Sequence, residues 1–422
     1  MNLSATQDPL HRRFAANIPR YFVYTALKGF GFGLITAMWL IYLQQRRGLN
    51  LTQATFVDVA FWIAAVLGEM PTGIVADQFS RKASLIAGTA LMSVSIFAWA
   101  VAPTVPLIML SYAGLAIGTT FLSGAEDALF YESIQAAGRA DHYTRLVGLA
   151  GATMLGATAI GSAASGLFAS IDLILPFLIS GLSLLATLGI VLTFKEPLTG
   201  EKLDGQTRKS YKEILRQSFV MMRAQPALRS PMLYLAFVPM AALIMETFFL
   251  QPQSVALGVP IAGIGLLVMA TQFTNMAGST LADRIAASLG EGRVLYIIPG
   301  IIVSSLVLLA VFQVLLSLLF VALISFVTAV LRPLVLNRIQ NQVSDNVRAT
   351  ILSMQSLLGT LLLTISEPIL GFMADRFGLP AAYMTLAGGL SLLVLLLFWT
   401  SYRHLLLPGI IKPNELEVKY DP

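Results

Sequence analysis

Twelve apolar runs, each long enough to cross a lipid bilayer, constrain what this chain can fold into. A helix rises about 1.5 Å per residue, so about 20 apolar residues cross a hydrocarbon layer about 30 Å thick. The runs cover residues 18–44, 54–76, 83–101, 105–133, 143–170, 173–194, 232–250, 258–281, 294–312, 316–339, 349–373 and 380–402. Because backbone polar groups inside a bilayer must be satisfied within the segment, these runs predict membrane-spanning helices.

The composition agrees with a membrane protein. Of the 422 residues, 56% are hydrophobic and only 12% are charged, whereas charged residues make up about 25% of a soluble protein. Lys and Arg exceed Asp and Glu by 27 to 22. No basic run with interleaved aromatic residues accompanies this excess, so we expect no nucleic-acid partner.

Several kinds of chemistry are excluded by the residues that are missing. The chain has no cysteine, which excludes disulfides, thiol catalysis and iron–sulfur ligation. Its three histidines, His11, His142 and His404, do not have metal-ligand spacing. It also has no Gly-x-x-x-x-Gly-Lys-Ser/Thr loop for nucleotide phosphates. We therefore expect no enzyme activity, no cofactor and no metal.

The distribution of Lys and Arg predicts the orientation of the spans. If both termini are cytoplasmic, most basic residues outside the spans lie on the cytoplasmic side, and only Arg46, Arg47 and Arg376 lie on the outer side. This asymmetry follows the positive-inside rule. The first 20 residues have no short apolar core before a cleavage site, so we predict no removable signal peptide.

A polar segment, residues 195–230, divides the spans six and six. It is too short for a domain with its own core. We predict an N-terminal six-helix bundle in residues 1–194, a cytoplasmic linker, and a C-terminal six-helix bundle with a cytoplasmic tail in residues 231–422. The pattern of residues 211–222 is typical of an amphipathic helix on the inner membrane surface. A solvated linker helix without its own function fits the same pattern.

Charged residues recur at similar spacing in the two halves. Asp77 is matched 206 positions later by Asp283, and Arg145 is matched 203 positions later by Arg348. Each arginine is followed 27 residues on by an aspartate, Asp172 and Asp375 respectively. Two matches at nearly one offset indicate a duplicated six-helix unit, and such paired repeats hold substrate near the midplane.

A motif between the second and third runs carries a family resemblance. Residues 68–82 read Gly-Glu-Met-Pro-Thr-Gly-Ile-Val-Ala-Asp-Gln-Phe-Ser-Arg-Lys. The Gly, Asp and basic-turn positions of this stretch, Gly73, Asp77, Arg81 and Lys82, resemble the loop between helices two and three of the major facilitator superfamily (MFS). Asp283-Arg284 is a weaker second copy. Residues 337–353 and 371–378 resemble the junction of helices ten and eleven and the outer end of helix eleven in bacterial members.

This resemblance covers essentially the whole chain. It implies an all-α membrane protein with twelve transmembrane helices in two pseudo-symmetric six-helix bundles. It also implies a secondary active transporter in the bacterial plasma (inner) membrane. Two signatures of drug/proton antiporters are missing, because the fourth run lacks an arginine and the glycine-rich fifth run lacks a proline.

Seven charged residues inside the apolar runs are the candidates for binding substrate and protons. They are Lys28, Glu69, Glu126, Asp127, Glu246, Arg332 and Glu367. A charge near the bilayer centre costs about 2.5–3.5 kcal/mol on insertion scales, so it usually faces a cavity or a partner. Five acids against two bases leave three carboxylates that need a proton, a bound cation or water.

Four of these residues should lie at a similar depth. Glu69 lies roughly 12 Å inward from Asp77, and the fourth run places its two acids comparably. We predict an inner-half cluster of Lys28, Glu69, Glu126 and Asp127, in which Lys28 holds one carboxylate ionised while another exchanges a proton. Neighbouring acids about 100° apart on a helix cannot both face one partner, so at least one of them should meet a cavity. A static ion pair is the alternative for Glu69.

The remaining three charges allow several interpretations. Arg332 precedes Pro333 in a helix that lines the cavity in the resembling family, and it could hold an anionic group of the substrate. It could instead pair with Glu246 or Glu367. Those two acids, nearer the outer half, could also form an outer gate or a second proton site.

At the inner surface we expect two latches between the halves. Asp77 should lie near Arg348 at the start of the eleventh span, where the helix dipole favours an anion, and Asp283 should lie near Arg145. The predicted inner gate comprises Gly73, Asp77, Arg81, Lys82, Arg145, Asp283, Arg284 and Arg348. In the alternative interpretation, Asp77 only orients its own loop.

These observations predict a transporter that works by alternating access and is driven by a proton gradient. The small number of polar groups in the spans favours export of an amphipathic or hydrophobic compound. Uptake of a small charged metabolite, with Lys28 or Arg332 as counter-ion, fits the same charges. A non-transporting sensor or scaffold would need an output domain or partner, and neither tail is large enough for such a domain. The expected partners are a small-molecule substrate, protons and the lipid bilayer, and we expect a monomer.

Overall fold

The computed structural model describes residues 14–78, 80–196, 226–342 and 345–406. Within these ranges, the side chains of residues 70, 73–78, 226–232, 235, 337–342, 345–356 and 397–406 are not described. The predicted linker helix at residues 211–222 lies outside the described residues.

The described chain is almost entirely helical and contains no strand, which confirms the expected all-α fold. The first helices are α1 (Asn17–Thr36), α2 (Trp39–Ile41), α3 (Leu51–Gln78), α4 (Arg81–Val101), α5 (Val105–Leu122), α6 (Ala125–Ala136), α7 (Tyr143–Ile171) and α8 (Leu175–Thr193). They are followed by α9 (Pro226–Ile244), α10 (Leu250–Ala256), α11 (Ile261–Leu289), α12 (Glu291–Val311), α13 (Leu318–Gln342), α14 (Asp345–Phe377) and α15 (Leu379–Leu406). Two π-helical segments, π1 (Tyr42–Arg46) and π2 (Met245–Phe249), follow α2 and α9.

Ten spans among the described residues are long and apolar enough to cross a membrane. The count is eleven if α1 and the α2–π1 segment, which meet at a bend of 44°, form one span. The apolar run 232–250 is not among them, but it too is helical, as α9 and π2. The predicted twelve spans are therefore consistent with the structure.

Contacts between residues divide the chain into two compact units. Unit 1 comprises Met1–Leu49, Gln53–Arg208 and Pro260–Met269, and unit 2 comprises Asn50–Thr52, Lys209–Val259 and Ala270–Pro422. The functional side chains discussed below fall into one group in each unit.

Helix α1 packs closely against α7 in unit 1 because small residues face each other there. A Cβ atom added to Gly33 would lie 2.1 Å from the carbonyl oxygen of Thr158, and one added to Gly161 would lie 2.3 Å from that of Phe30. Such close approach of two backbones is typical of helix packing in membranes. It fixes the position of α1 and of the side chains that α1 carries.

Hydroxyl groups reinforce the packing of α1. On α7, Ser165 donates to the carbonyl of Leu34 at 2.6 Å. On α8, Ser183 donates to the carbonyl of Leu27 at 2.7 Å. In the apolar interior of a membrane protein, such bonds satisfy groups that would otherwise be costly to bury.

The fourth apolar run, predicted as one span over residues 105–133, lies within one candidate span, Val105–Ala136, but its helix is interrupted by a short break. Helix α5 ends at Leu122 and α6 begins at Ala125, with Ser123 and Gly124 between them. Gly124 has a φ of 75°, a left-handed conformation that costs glycine little. The break places Glu126 in the first turn of a new helix.

The basic turn that starts α4 is held within unit 1. Ser80 caps the helix by accepting a hydrogen bond from the N–H of Ala83 at 3.0 Å. The Glu196 carboxylate, which follows α8, accepts from the Ser80 hydroxyl at 2.5 Å and from the N–H of Arg81 at 2.8 Å. An acid at a helix N-terminus also interacts favourably with the helix dipole. The Arg81 side chain forms an ion pair with Glu132 of α6 at 2.9 Å.

In unit 2, a carboxylate caps the first turn of α3. Asp375, near the end of α14, accepts hydrogen bonds from the N–H of Leu51 at 3.0 Å and from the N–H of Thr52 at 2.7 Å. It also accepts from the Thr52 hydroxyl at 2.6 Å. Asp375 therefore acts as an N-cap that is supplied from a distant part of the sequence.

The two π segments repeat the spacing seen in the charges. Each contains five residues, and Met245 follows Tyr42 by 203 positions. This is also the separation of Arg145 and Arg348. The same unusual turn at the same offset, in a feature that was not used to find the repeat, favours a duplicated unit.

We expect Gly33→Ala to lower the free energy of unfolding by about 3 kcal/mol, because its methyl group would meet the Thr158 backbone, which can move only with α7. Thermal unfolding of the purified protein in detergent measures this. Gly151→Ala on α7 is the control, since an added Cβ there has nothing within 4 Å. Equal melting temperatures for both variants would contradict the close α1–α7 contact.

Candidate functional site

An ion pair inside unit 1 is the centre of the first group of functional side chains. The Lys28 ammonium of α1 donates to Oε2 of Glu126, in the first turn of α6. The Tyr24 hydroxyl, one turn before Lys28, donates to the same oxygen at 2.7 Å. The Lys28 and Glu126 side chains are 9% and 22% exposed, respectively. The carboxylate thus receives two donors while it stays partly accessible.

Aromatic residues surround this pair. Tyr24 is fully buried, and the Lys28 ammonium lies 5.1 Å from the centroid of its ring. Tyr21 stacks on Phe130 with ring centroids 3.9 Å apart. These rings limit the access of water to the ion pair, which strengthens its electrostatic attraction.

The structure brings together only part of the predicted inner-half cluster. Lys28 and Glu126 are in contact. Asp127 is exposed, although it is near enough to interact electrostatically with both. Glu69 is also exposed, on α3. Glu126 and Asp127, which are adjacent in α6, therefore have different surroundings, as expected for residues about 100° apart on a helix.

A second group lies in unit 2 around Glu246, in π2. The side chains of Asn275 on α11 and Ser325 on α13 lie near its carboxylate. The Ser325 hydroxyl is also 3.1 Å from the carbonyl of Val321. Glu246 itself is half-buried, and its Oε1 is buried without a hydrogen-bond donor among the described residues.

The other two candidates in unit 2 differ in burial. Arg332 is exposed on α13, directly before Pro333. Glu367 is 2% exposed on α14, directly before Pro368. No ion pair joins Arg332 to Glu246 among the described side chains, and the interpretations of Arg332 stay predictions.

Most of the predicted inner-gate contacts stay predictions. The side chains of Gly73, Asp77 and Arg348 are not described. Arg145, Asp283 and Arg284 are exposed. The basic turn is better defined, since Arg81 pairs with Glu132 and the Lys82 ammonium donates to the carbonyl of Leu192 at 2.7 Å.

Sequence analysis missed several partners of the charged residues. Tyr24 could have been found as the residue one helical turn before Lys28. Asn275 precedes Asp283 by eight residues, just as Glu69 precedes Asp77, so the repeat contained a signal for it. Nothing in the sequence indicated Ser325, because its carboxylate partner is 79 residues away. Glu132 and Glu196 lie near the ends of apolar runs, where a charged side chain is ordinarily expected to be exposed to water, so the sequence did not indicate their partners.

We expect Glu126→Gln to lower the free energy of unfolding by about 3 kcal/mol, because it leaves the Lys28 ammonium buried without a counter-charge. The double variant Lys28→Met/Glu126→Gln should lose less than the sum of the two single variants. Thermal unfolding of the four proteins in detergent gives this coupling energy. Strict additivity would contradict a stabilising contact between the two side chains.

Comparisons with known proteins give the family. The model described as "Major Facilitator Superfamily" matches residues 21–366. The uncharacterized MFS-type transporter YxaM of Bacillus subtilis (strain 168) is 22% identical over 411 residues, which cover 95% of this chain and 98% of that protein.

Solved structures share the fold. The nucleoside transporter NupG has a TM-score of 0.77 at 14% identity, with 91% of this chain and 98% of that chain covered. The D-xylose-proton symporter has a TM-score of 0.69 at 15% identity, with coverages of 91% and 97%. At these identities the likeness shows the fold alone. Together with the family match across most of the sequence, it shows that this chain is a membrane transporter, not an enzyme, and that it belongs to the major facilitator superfamily.

Proposed function

We propose that this chain is a proton-coupled secondary transporter that works by alternating access and exports an amphipathic or hydrophobic small molecule. The observation that carries the proposal is the Lys28–Glu126 pair inside a bundle of apolar helices. Ionisable groups inside membrane spans are costly, and those that persist usually mark a substrate or proton path.

The pair can couple a proton to a conformational change. When Glu126 is ionised, it attracts Lys28 and so joins α6 to α1. Protonation of Glu126 removes that attraction and leaves Lys28 to find another partner. A proton gradient can therefore shift the relative stability of two arrangements of these helices. The partial exposure of Glu126 supplies the access that proton exchange needs.

In this proposal the remaining charges have separate roles. Asp127, Glu69, Glu246, Glu367 and Arg332 bind substrate or a further proton. The residues around the basic turn, with their matches in the second half, form the inner gate. The distribution of Lys and Arg supports a bacterial plasma (inner) membrane location with both termini cytoplasmic. We propose that the transporter acts as a monomer.

Uptake of a small charged metabolite is the second candidate. It is supported by the polar group formed by Glu246, Asn275 and Ser325 in unit 2, which is costly to bury unless a polar ligand uses it. A nucleoside transporter and a D-xylose-proton symporter have similar structures, and nucleosides and D-xylose are polar compounds. The direction of substrate movement in liposomes separates the two candidates.

Purified protein in liposomes that contain a pH-sensitive dye tests the proposal. We expect candidate amphipathic compounds to move protons across the membrane through the wild-type protein. Glu126→Gln should lower the initial rate of this movement at least about tenfold, because the amide cannot exchange a proton at neutral pH. Substrate exchange at equal pH on both sides should persist, since it needs no net proton movement.

Glu291→Gln is the matched control, because Glu291 is exposed at the start of α12. It should leave the rate of proton movement unchanged. An undiminished rate in Glu126→Gln, with the protein folded, would rule out Glu126 as the coupling residue.

A further inference from the structure

The strongest unexplained feature is the carboxylate of Glu246. It lies in π2, a π turn at the end of the apolar run 232–250, and this unusual backbone conformation often occurs at functional sites. Among the described side chains, no Lys or Arg forms an ion pair with it, and the side chains of Asn275 and Ser325 interact with its carboxylate. A carboxylate in this setting needs a proton, water or a positively charged partner.

One oxygen of the Glu246 carboxylate can accept further hydrogen bonds. Oε1 of Glu246 is buried without a hydrogen-bond donor among the described residues. An ionised carboxylate oxygen can accept two hydrogen bonds, and burying it without any is costly. A ligand that donates hydrogen bonds and carries a positive charge would meet both needs.

A second buried polar atom without a hydrogen-bond partner in the described part of the chain lies on the same helix as Ser325. Thr328 follows Ser325 by three residues on α13, so the two lie on one face of the helix. The Thr328 side chain is 8% exposed, and its Oγ1 has no hydrogen-bond partner among the described residues. A hydroxyl both accepts and donates, so it can accept a hydrogen bond from a ligand bound beside it.

We propose that Glu246, Asn275, Ser325 and Thr328 form a binding site for a cationic nitrogen group of the transported compound. This inference rests on the proposed transport function and specifies its substrate class as amphipathic amines. The ammonium donates to Oε1 of Glu246 and neutralises its charge. Asn275 and Ser325 orient the carboxylate, and Thr328 accepts a further N–H of the ligand.

Pairs of compounds with the same skeleton test this site at equilibrium. The probes are 1-aminoadamantane with 1-adamantanol, 2-phenylethylamine with 2-phenylethanol, and tryptamine with tryptophol. At neutral pH each amine is protonated and its alcohol is neutral. We expect at least one amine to bind the purified wild-type protein about tenfold or more tightly than its alcohol, because charge-assisted hydrogen bonds are the stronger kind. Titration calorimetry in detergent measures both affinities.

Glu246→Gln should remove the preference for the amine and leave binding of the alcohol within about twofold. Because glutamine has nearly the same shape and no charge to bury, this variant should fold. Thr328→Val should weaken amine binding by a smaller factor, since it removes one acceptor. Glu291→Gln, at an exposed position at the start of α12, should keep the preference for the amine.

Equal binding of amine and alcohol by the wild-type protein, including no binding by either, would overturn the proposal, as would an amine preference that survives Glu246→Gln. If Glu246 only exchanged protons, the wild-type protein would bind the amine and its alcohol equally. The test is independent of transport, since binding is measured without a membrane. If amines bind as expected but move no protons in liposomes, the proton coupling fails and the amine site stands.

Discussion

The contact between Lys28 and Glu126 is the interaction on which the arrangement of unit 1 depends. Removing one ion from water into a low-dielectric interior costs several kcal/mol even after relaxation. Lys28 is 8% exposed, so its helix is stable in this position only while a counter-charge is within reach. Glu126 supplies that charge and Tyr24 adds a hydrogen bond to the same oxygen.

Two local features of the sequence make this contact possible. Glycines and serines fix α1 against its neighbours, so Lys28 projects from a position that can hardly shift. Gly124 ends the preceding helix and lets α6 start immediately before Glu126. Lys28 is therefore on the tightly packed helix α1, and Glu126 is on the short helix α6. Protonation of Glu126 would therefore move mainly α6.

The sequence predicted the fold well because its strongest signal, apolar length, is local. The long runs are helical in the described chain, some of them with breaks or π turns, and the family motif consists of contiguous residues. The predictions were weaker where several helices meet. Lys28 and Glu126 could be placed at similar depth, but depth alone did not separate Glu69, which is exposed, from Glu126, which is only partly exposed. The rotation of each helix about its axis decides this.

Breaks within runs were the second weakness. Nothing in the hydropathy of residues 105–133 distinguishes Ser123-Gly124 from the other small residues tolerated in membrane helices. The π turns were missed for the same reason, since their composition is that of ordinary apolar helix. The asparagine beside Glu246 was visible in the sequence, but its meaning required knowing which face of α11 approaches π2.

The π turns also determine how the ends of their helices are rotated. A π turn holds one residue more than the α turn that it replaces. Deleting one residue from Met245–Phe249 would restore a regular helix and rotate α9 by about 100° relative to α10. A single-codon deletion could thus redirect an entire face of the helix without altering a single remaining side chain. Insertions and deletions in the two π turns can therefore change the direction in which polar side chains point during evolution. Point substitutions cannot produce this change.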